Sequence, residues 1–75
     1  MISLYKIGHR IKIARHNRRF TQVELAKYIG FTQKGLSRIE NGKSELTIKT
    51  LCKIAKALKL PPSFFLEEKV NTYEK

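Results

Sequence analysis

Apolar residues recur at three- and four-residue spacing along most of this chain, which places them on one face of an α-helix. Four such stripes occupy residues 4–14, 25–29, 36–39 and 48–58. Their apolar members are Leu4, Ile7, Ile11, Ala14, Leu25, Ala26, Ile29, Leu36, Ile39, Ile48, Leu51, Ile54, Ala55 and Leu58. No stretch of useful length alternates between apolar and polar residues as a half-buried strand does. The pattern therefore predicts an all-α fold.

The residues that flank these stripes predict where the helices begin and end. Ser3 is a plausible cap for a first helix over residues 3–17. Thr21 and Glu24 have the spacing of a capping box at the start of the second helix. Gly30 can take the left-handed conformation at its end, and Thr32 can cap the third helix. Residues 22–41 thus resemble two short helices joined by a turn, the arrangement of a helix-turn-helix that enters a DNA major groove.

Two prolines, Pro61 and Pro62, predict the end of the fourth helix and the start of a short fifth one through residues 63–66. The chain of 75 residues is long enough for one domain with a single small core. We expect this domain to span residues 1–70, followed by a short tail at residues 71–75. Cys52 lies next to Leu51 and is expected to be a small core residue.

The charge is strongly basic, with 16 Lys and Arg residues against six acidic ones and a formal net charge of +10. Residues 1–66 hold 14 basic and three acidic residues, or +11, so the positive charge belongs to the predicted domain. A basic domain of this kind is typical of proteins with an anionic partner, although a well-solvated surface is the alternative. No run is apolar enough for a membrane span or a signal peptide, and the single cysteine favours the cytoplasm.

The motifs of common enzymes are absent: the sequence has no GxGxxG, phosphate loop, HExxH or cysteine pair. His9 and His16 have no Cys or carboxylate at metal-ligand spacing in the first helix. Glu24, Glu40 and Glu45 are isolated in the sequence. We expect no enzymatic activity, metal, cofactor or small-molecule ligand.

A helical wheel of the third helix places Leu36 and Ile39 on its inner side and polar residues on the other side. The polar residues are Lys34, Ser37, Arg38 and Asn41, with Gln33 at the edge of the first turn. Gln can pair with adenine, and Arg or Lys with guanine, in the major groove. The wheel alone fits base recognition and an ordinary exposed helix face equally well.

Three segments resemble the helix-turn-helix family of phage Cro and repressor proteins: TQVELAKYIG at residues 21–30, FTQKGLSRIENGK at 31–43 and LTIKTLCKIAKAL at 46–58. Small restriction–modification controllers, a subgroup of similar size, share features of the last segment. The resemblance implies a compact five-helix, lambda-repressor-like domain. It also implies that Ala26 allows a close helix crossing and that Phe65 and Leu66 lie in the core.

The resemblance assigns roles to polar residues as well. Those expected to face the bases are Gln33, Lys34, Ser37 and Arg38. Those expected to contact phosphates are Gln22, Thr32, Asn41 and Lys43. Arg18 and Arg19 are expected to add phosphate contacts that the resemblance itself does not assign. Gln22 should also support Gln33, and Arg15 should form an ion pair with Glu40. The family usually has glycine at the position of Arg19, which leaves the conformation of that turn open.

The resemblance implies a sequence-specific transcriptional regulator of prokaryotic or phage origin, by default a repressor. It would bind a two-fold operator in double-stranded DNA as a homodimer. The dimer interface is expected on the fifth helix, at Leu60, Phe64 and Val70. A DNA-binding antitoxin and a protein-interaction module that does not bind DNA are the alternatives.

Overall fold

Five helices form the structure, a computed structural model that describes residues 2–67. They are α1 (Leu4–Asn17), α2 (Gln22–Ile29), α3 (Gln33–Glu40), α4 (Ile48–Leu58) and α5 (Ser63–Leu66). Residues 2–67 contain no strand, so the predicted all-α class is confirmed. None of these helices combines the length and the apolar character that a membrane span requires.

Side-chain caps fix the starts of the first three helices at the predicted residues. Ser3 Oγ accepts a hydrogen bond from the Lys6 N–H, and Thr32 Oγ1 accepts one from the Gly35 N–H. Thr21 and Glu24 form the full capping box, since each side chain accepts the other's backbone N–H. A cap of this kind contributes about 1 kcal/mol, which matters for helices of only eight residues.

The turn between α2 and α3 has the predicted left-handed glycine, because Gly30 adopts a φ of 79°. The Phe31 N–H then donates to the Ala26 carbonyl, which closes the end of α2. This tight turn sets α3 at an angle across α2. Ala26 is buried at the crossing, where a small side chain permits close packing.

The core lies where all five helices meet. Its largest fully buried side chains are Phe65, Ile11, Leu25, Leu36, Ile54 and Leu58. Phe65 brings the short α5 into the core, and truncation of such a buried aromatic costs about 3–5 kcal/mol. Arg10 on α1 also holds α5, because its Nη1 donates to the carbonyls of Phe65 at 3.3 Å and Glu67 at 2.6 Å.

Helix α1 packs directly on the end of α3 through two glycines. A Cβ atom at Gly8 would lie 2.6 Å from the Glu40 carbonyl oxygen and still closer to that of Ile39. A Cβ at Gly42 would lie 2.6 Å from the Cα of Tyr5. Because only glycine fits at such distances, these residues fix the position of α3 relative to α1.

Four apolar residues expected in the core lie at the surface instead. Leu4 is 38% exposed because it is the first residue of α1. Ile48 is 68% exposed because it is the first residue of α4 and precedes the part of the helix that packs. Cys52 is exposed because it lies about 100° around the helix from the buried Leu51. Leu66 is 39% exposed, since α5 has only four residues and Phe65 takes the inward position.

Candidate nucleic-acid interface

A buried ion pair joins α1 to the end of α3. Arg15 Nε donates to Glu40 Oε2 at 2.7 Å, and Arg15 Nη2 donates to Glu40 Oε1 at 3.1 Å. The side chains are 6% and 1% exposed. Arg15 Nη1 also donates to the Phe20 carbonyl at 2.9 Å. The structure thus places the expected partners in a bidentate arrangement, the strongest form of this contact.

Glu40 also accepts a hydrogen bond from α2, and this bond extends the pair to the surface. Gln22 Nε2 donates to Glu40 Oε1 at 3.0 Å, and Gln33 Nε2 donates to Gln22 Oε1 at 3.3 Å. We call Arg15, Glu40, Gln22 and Gln33 the Glu40 network. An ionised carboxylate only accepts hydrogen bonds, so Glu40 requires the amide nitrogen of Gln22 to point inward. The Gln22 oxygen then faces outward, where it accepts the hydrogen bond from the nitrogen of Gln33.

The network leaves Gln33 with specific hydrogen-bonding capacity. One of its amide N–H groups is used by Gln22, while the other N–H and Oε1 have no partner among residues 2–67. Adenine presents one acceptor, N7, and one donor, N6–H, in the major groove. The unused groups of Gln33 are therefore complementary to adenine. The residue is exposed in the first turn of α3, where a base edge can reach it.

The other candidate base-reading residues form a partly exposed surface along α3. Lys34 and Arg38 are exposed, and Ser37 is half-buried. Arg38 Nη2 donates to the Lys43 carbonyl at 3.2 Å, which holds part of its guanidinium over the loop after α3. Its remaining N–H groups are available for a base or a phosphate.

Three of the candidate phosphate-contacting residues, Thr32, Asn41 and Lys43, lie around the ends of α3. Thr32 uses its hydroxyl oxygen as the cap of the helix. Asn41 ends α3, where its N–H donates to the Ser37 carbonyl and its side chain is at the surface. Lys43 is exposed in the following loop.

Two neighbouring arginines point in different directions. Arg19 lines an open cleft that Gln22 and Gln33 also line. Arg18 Nη2 instead donates to the Lys59 carbonyl at 3.4 Å and lines a groove with Leu60 and Phe64. Both residues were expected to contact phosphates, and of the two only Arg19 lies beside the start of α3.

The expected dimer surface has apolar groups at α1 and α5. Phe64 is 44% exposed, and Ile13 on α1 is 48% exposed. Leu60 is half-buried and packs against the core. These three residues line one groove together with Ala14, Asn17 and Arg18. Val70, the third residue expected at the interface, lies outside the described residues.

The two histidines have separate surroundings. The His9 ring stacks on Tyr5 with a centroid distance of 6.3 Å, and His16 lines the cleft beside Gln22. In residues 2–67, no three His, Cys, Asp or Glu side chains form a group that could hold a metal ion.

Two contacts of the Glu40 network were not predicted from the sequence. These are the Gln22–Glu40 hydrogen bond and the bond from Arg15 to the Phe20 carbonyl. Gln22 and Glu40 are 18 residues apart, on helices whose crossing angle is set by tertiary packing. No periodicity in the sequence reports such a contact.

The geometry of a capped α2, a glycine turn and an exposed α3 has a counterpart among known proteins. The model of the family described as Helix-turn-helix (HTH_3) matches residues 11–65, most of the chain. The chain belongs to the helix-turn-helix family. The predicted family and its lambda-repressor-like fold are thereby confirmed.

Curated relatives of this helix-turn-helix chain include regulators of transcription. It is 42% identical over 55 residues to the HTH-type transcriptional repressor RghR of Bacillus subtilis, a match that covers 72% of this chain and 41% of RghR. The chain spans about half the length of the first curated relatives it matches.

Two solved structures of helix-turn-helix proteins match this chain over nearly their whole length. The biofilm regulator SinR, in a crystal structure with DNA, superposes with a TM-score of 0.75 at 32% identity, covering 81% of this chain and 98% of SinR. The restriction–modification controller C.AhdI of Aeromonas hydrophila has a TM-score of 0.79 at 26% identity, covering 83% and 94%.

Proposed function

We propose that this protein binds a specific operator in double-stranded DNA and regulates transcription, with α3 in the major groove. The Glu40 network carries this proposal. An ordinary exposed helix has no need to hold a surface glutamine through three buried or half-buried side chains. Here the chain of hydrogen bonds from Arg15 to Gln33 fixes which amide groups of Gln33 face outward. Such preorganisation is what base discrimination requires.

The charge of the surrounding surface supports a DNA partner. Lys34, Arg38 and Lys43 are exposed along α3 and the loop after it, and Arg19 lies beside its first turn. Cations in these positions can bind the phosphates on both sides of a base contacted by Gln33. They would orient the helix in the groove, while Gln33 and Arg38 would supply sequence preference.

Similarity to known regulators supports a role in transcription. SinR resembles this chain over 98% of the SinR chain that was crystallised with DNA, and RghR is a transcriptional repressor. Repression is the simplest outcome, because a protein bound over a promoter blocks polymerase without a further surface. In vitro transcription from a promoter that overlaps the operator measures whether the protein represses or activates.

A homodimer would match the protein to a two-fold operator. The groove with Ile13, Leu60 and Phe64 offers an apolar surface on α1 and α5, away from Gln33. In a two-fold dimer the same surface of each protomer packs against its equivalent, so the groove of one protomer would face the groove of the other. The two α3 helices would then enter successive major grooves about 34–36 Å apart.

The DNA-binding proposal is tested by the salt dependence of affinity for a selected operator and for a scrambled duplex. About eight phosphate contacts per dimer would give a log–log slope near −7. Lys43→Ala should weaken binding to both duplexes. Lys56→Ala is the matched control, because Lys56 lies in the last turn of α4, and it should leave both affinities unchanged. A flat salt dependence with equal affinity for both duplexes would instead favour a protein-interaction module.

A further inference from the structure

An open cleft is formed by the C-terminal end of α2 and the second half of α4. Its lining residues are Lys27, Tyr28, Ile29, Gly30, Lys53 and Lys56. Three of these six residues are exposed lysines, and none of the six carries a carboxylate. The cleft has a volume of about 370 Å³. We call this site the lysine cleft.

Helix chemistry accounts for only part of the charge in the lysine cleft. Lys27 and Lys56 lie in the last turns of α2 and α4, where a cation complements the helix dipole. Lys53 lies more than one turn before the end of α4 and has no such role. Glu24 is used as a cap and Glu40 is buried in its network, so neither compensates the lysines. Like charges in one cleft repel each other, and an anion that enters it is therefore favoured.

Tyr28 adds an exposed aromatic ring to the lysine cleft. Its side chain is 65% exposed, and its ring packs edge-on against Phe20 with 6.2 Å between the centroids. This contact restricts the ring while it leaves most of its surface accessible. Protein interfaces commonly bury an aromatic side chain at the centre and place charged residues at the rim. The lysine cleft contains both components.

The lysine cleft and the proposed DNA surface lie at opposite ends of α2. Gln22 at the start of this helix contacts Gln33, whereas the lysine cleft begins at Lys27. The helical rise separates Gln22 from Ile29 by about 10 Å. The cleft that contains Gln22 and Gln33 shares no lining residue with the lysine cleft. A duplex bound by α3 would therefore leave the lysine cleft accessible.

We propose that the lysine cleft binds an acidic segment of a partner protein while α3 is on DNA. Carboxylates of this segment pair with the three lysines, and an apolar side chain between them packs on Tyr28. A small-molecule site normally encloses most of its ligand, which this open cleft does not. Duplex DNA offers phosphates to the lysines but no apolar side chain to Tyr28. The inference goes beyond the proposed function, because it gives the DNA-bound protein a second macromolecular partner.

The test uses a labelled peptide of Glu-Glu-Leu repeats, added to the preformed complex of the protein with its operator. A peptide with Gln in place of every Glu is the control ligand and should not bind. In nitrogen-15-labelled protein, the acidic peptide should shift the amide signals of residues 27–30 and 53–56.

Matched variants locate the contact. Lys53→Glu should weaken peptide binding about tenfold, since an attraction becomes a repulsion. Tyr28→Ala should weaken it about fivefold through loss of the aromatic contact. Lys12→Glu is the control, because it makes the same charge change at an exposed position on α1 outside the cleft. It should bind the peptide as wild type does, and Lys12→Glu and Lys53→Glu should bind the operator equally well.

Equal peptide affinity in Lys53→Glu and Lys12→Glu would overturn the proposal. Signal changes confined to α3, or release of the operator by the peptide, would also overturn it, because the peptide would then be competing for the DNA surface. Binding of a second duplex at residues 27–30 and 53–56, without binding of the peptide, would assign the cleft to DNA instead. Failure of the wild-type protein to bind any operator would overturn the proposed function, and the same titration of the free protein would still test the lysine cleft.

Discussion

Glu40 connects stability and recognition at the scale of single residues. Its carboxylate accepts hydrogen bonds from Arg15 and Gln22 while it is almost completely buried. A buried ion pair often contributes little net stability compared with apolar side chains of similar volume, because both charges lose hydration. Apolar side chains in place of Arg15 and Glu40 could not orient the amide of Gln22. We infer that the pair is useful here because a charged acceptor fixes the amide of Gln22.

Replacement of Glu40 by glutamine should therefore destabilise the fold. Glu40→Gln leaves the Arg15 charge buried without a counter-ion, which costs about 3–5 kcal/mol of unfolding free energy. Urea denaturation measures this change, with Glu45→Gln as the control, since Glu45 is exposed in a loop. Equal stability of the two variants would show that the pair is unimportant for folding.

The residues of the site could be predicted from the sequence better than their connections. The resemblance predicted Arg15 with Glu40 and Gln22 with Gln33, and the structure brings both pairs into contact. The Gln22–Glu40 bond that joins them depends on the crossing of α2 and α3. The separation of Arg18 from Arg19 was also unpredictable, because Arg18 contacts the Lys59 carbonyl, 41 residues away in the sequence.

At the scale of helices, boundaries were predictable and burial was less so. Caps at Ser3, Thr21 and Thr32 act within one helical turn, so the sequence reports them directly. Ile48 was misplaced because apolar spacing alone does not show where a helix begins to pack. Cys52 was misplaced because it lies about 100° around α4 from the buried Leu51. The contacts of Gly8 and Gly42 with α3 and α1 were likewise absent from any local pattern.

The packing of α1 on α3 gives a prediction at this scale. Gly8→Ala would place a methyl group against the Ile39 and Glu40 carbonyls, so α1 and α3 must separate. Overpacking of this kind costs about 1–3 kcal/mol. Thermal unfolding tests it, with Gly35→Ala as control, because a Cβ there meets only side-chain atoms of Phe31 and Thr32 at 3.3 Å. A Gly8→Ala variant as stable as wild type would contradict this close packing.

At the scale of the whole molecule, the distribution of apolar and basic surface suggests two separate interfaces. The basic residues around α3 are proposed to face DNA, and the groove of Ile13, Leu60 and Phe64 is proposed to face a second copy. Because the two surfaces involve different helices, dimerisation and base contact should be separable by mutation.

Phe64→Glu should produce a monomer, since two carboxylates would meet at the two-fold axis of the proposed interface. Sedimentation equilibrium at high micromolar concentration should show a dimer for wild type and a monomer for Phe64→Glu. Ile48→Glu is the control, because Ile48 is also an exposed apolar residue but lies outside the groove. A wild-type protein that is monomeric at this concentration would contradict the dimer proposal.

The central claim is that Gln33 reads a base and that the Glu40 network orients it. Selection of binding sites from a random duplex library tests this claim most directly, with wild type, Gln33→Ala, Gln22→Ala and Lys43→Ala compared in parallel. We expect Gln33→Ala to lose preference at one position of each half-site, equivalent to about 1–3 kcal/mol of discrimination. Gln22→Ala should weaken preference at that same position, and Lys43→Ala should preserve the logo with lower affinity. A logo that is unchanged in Gln33→Ala would contradict the account.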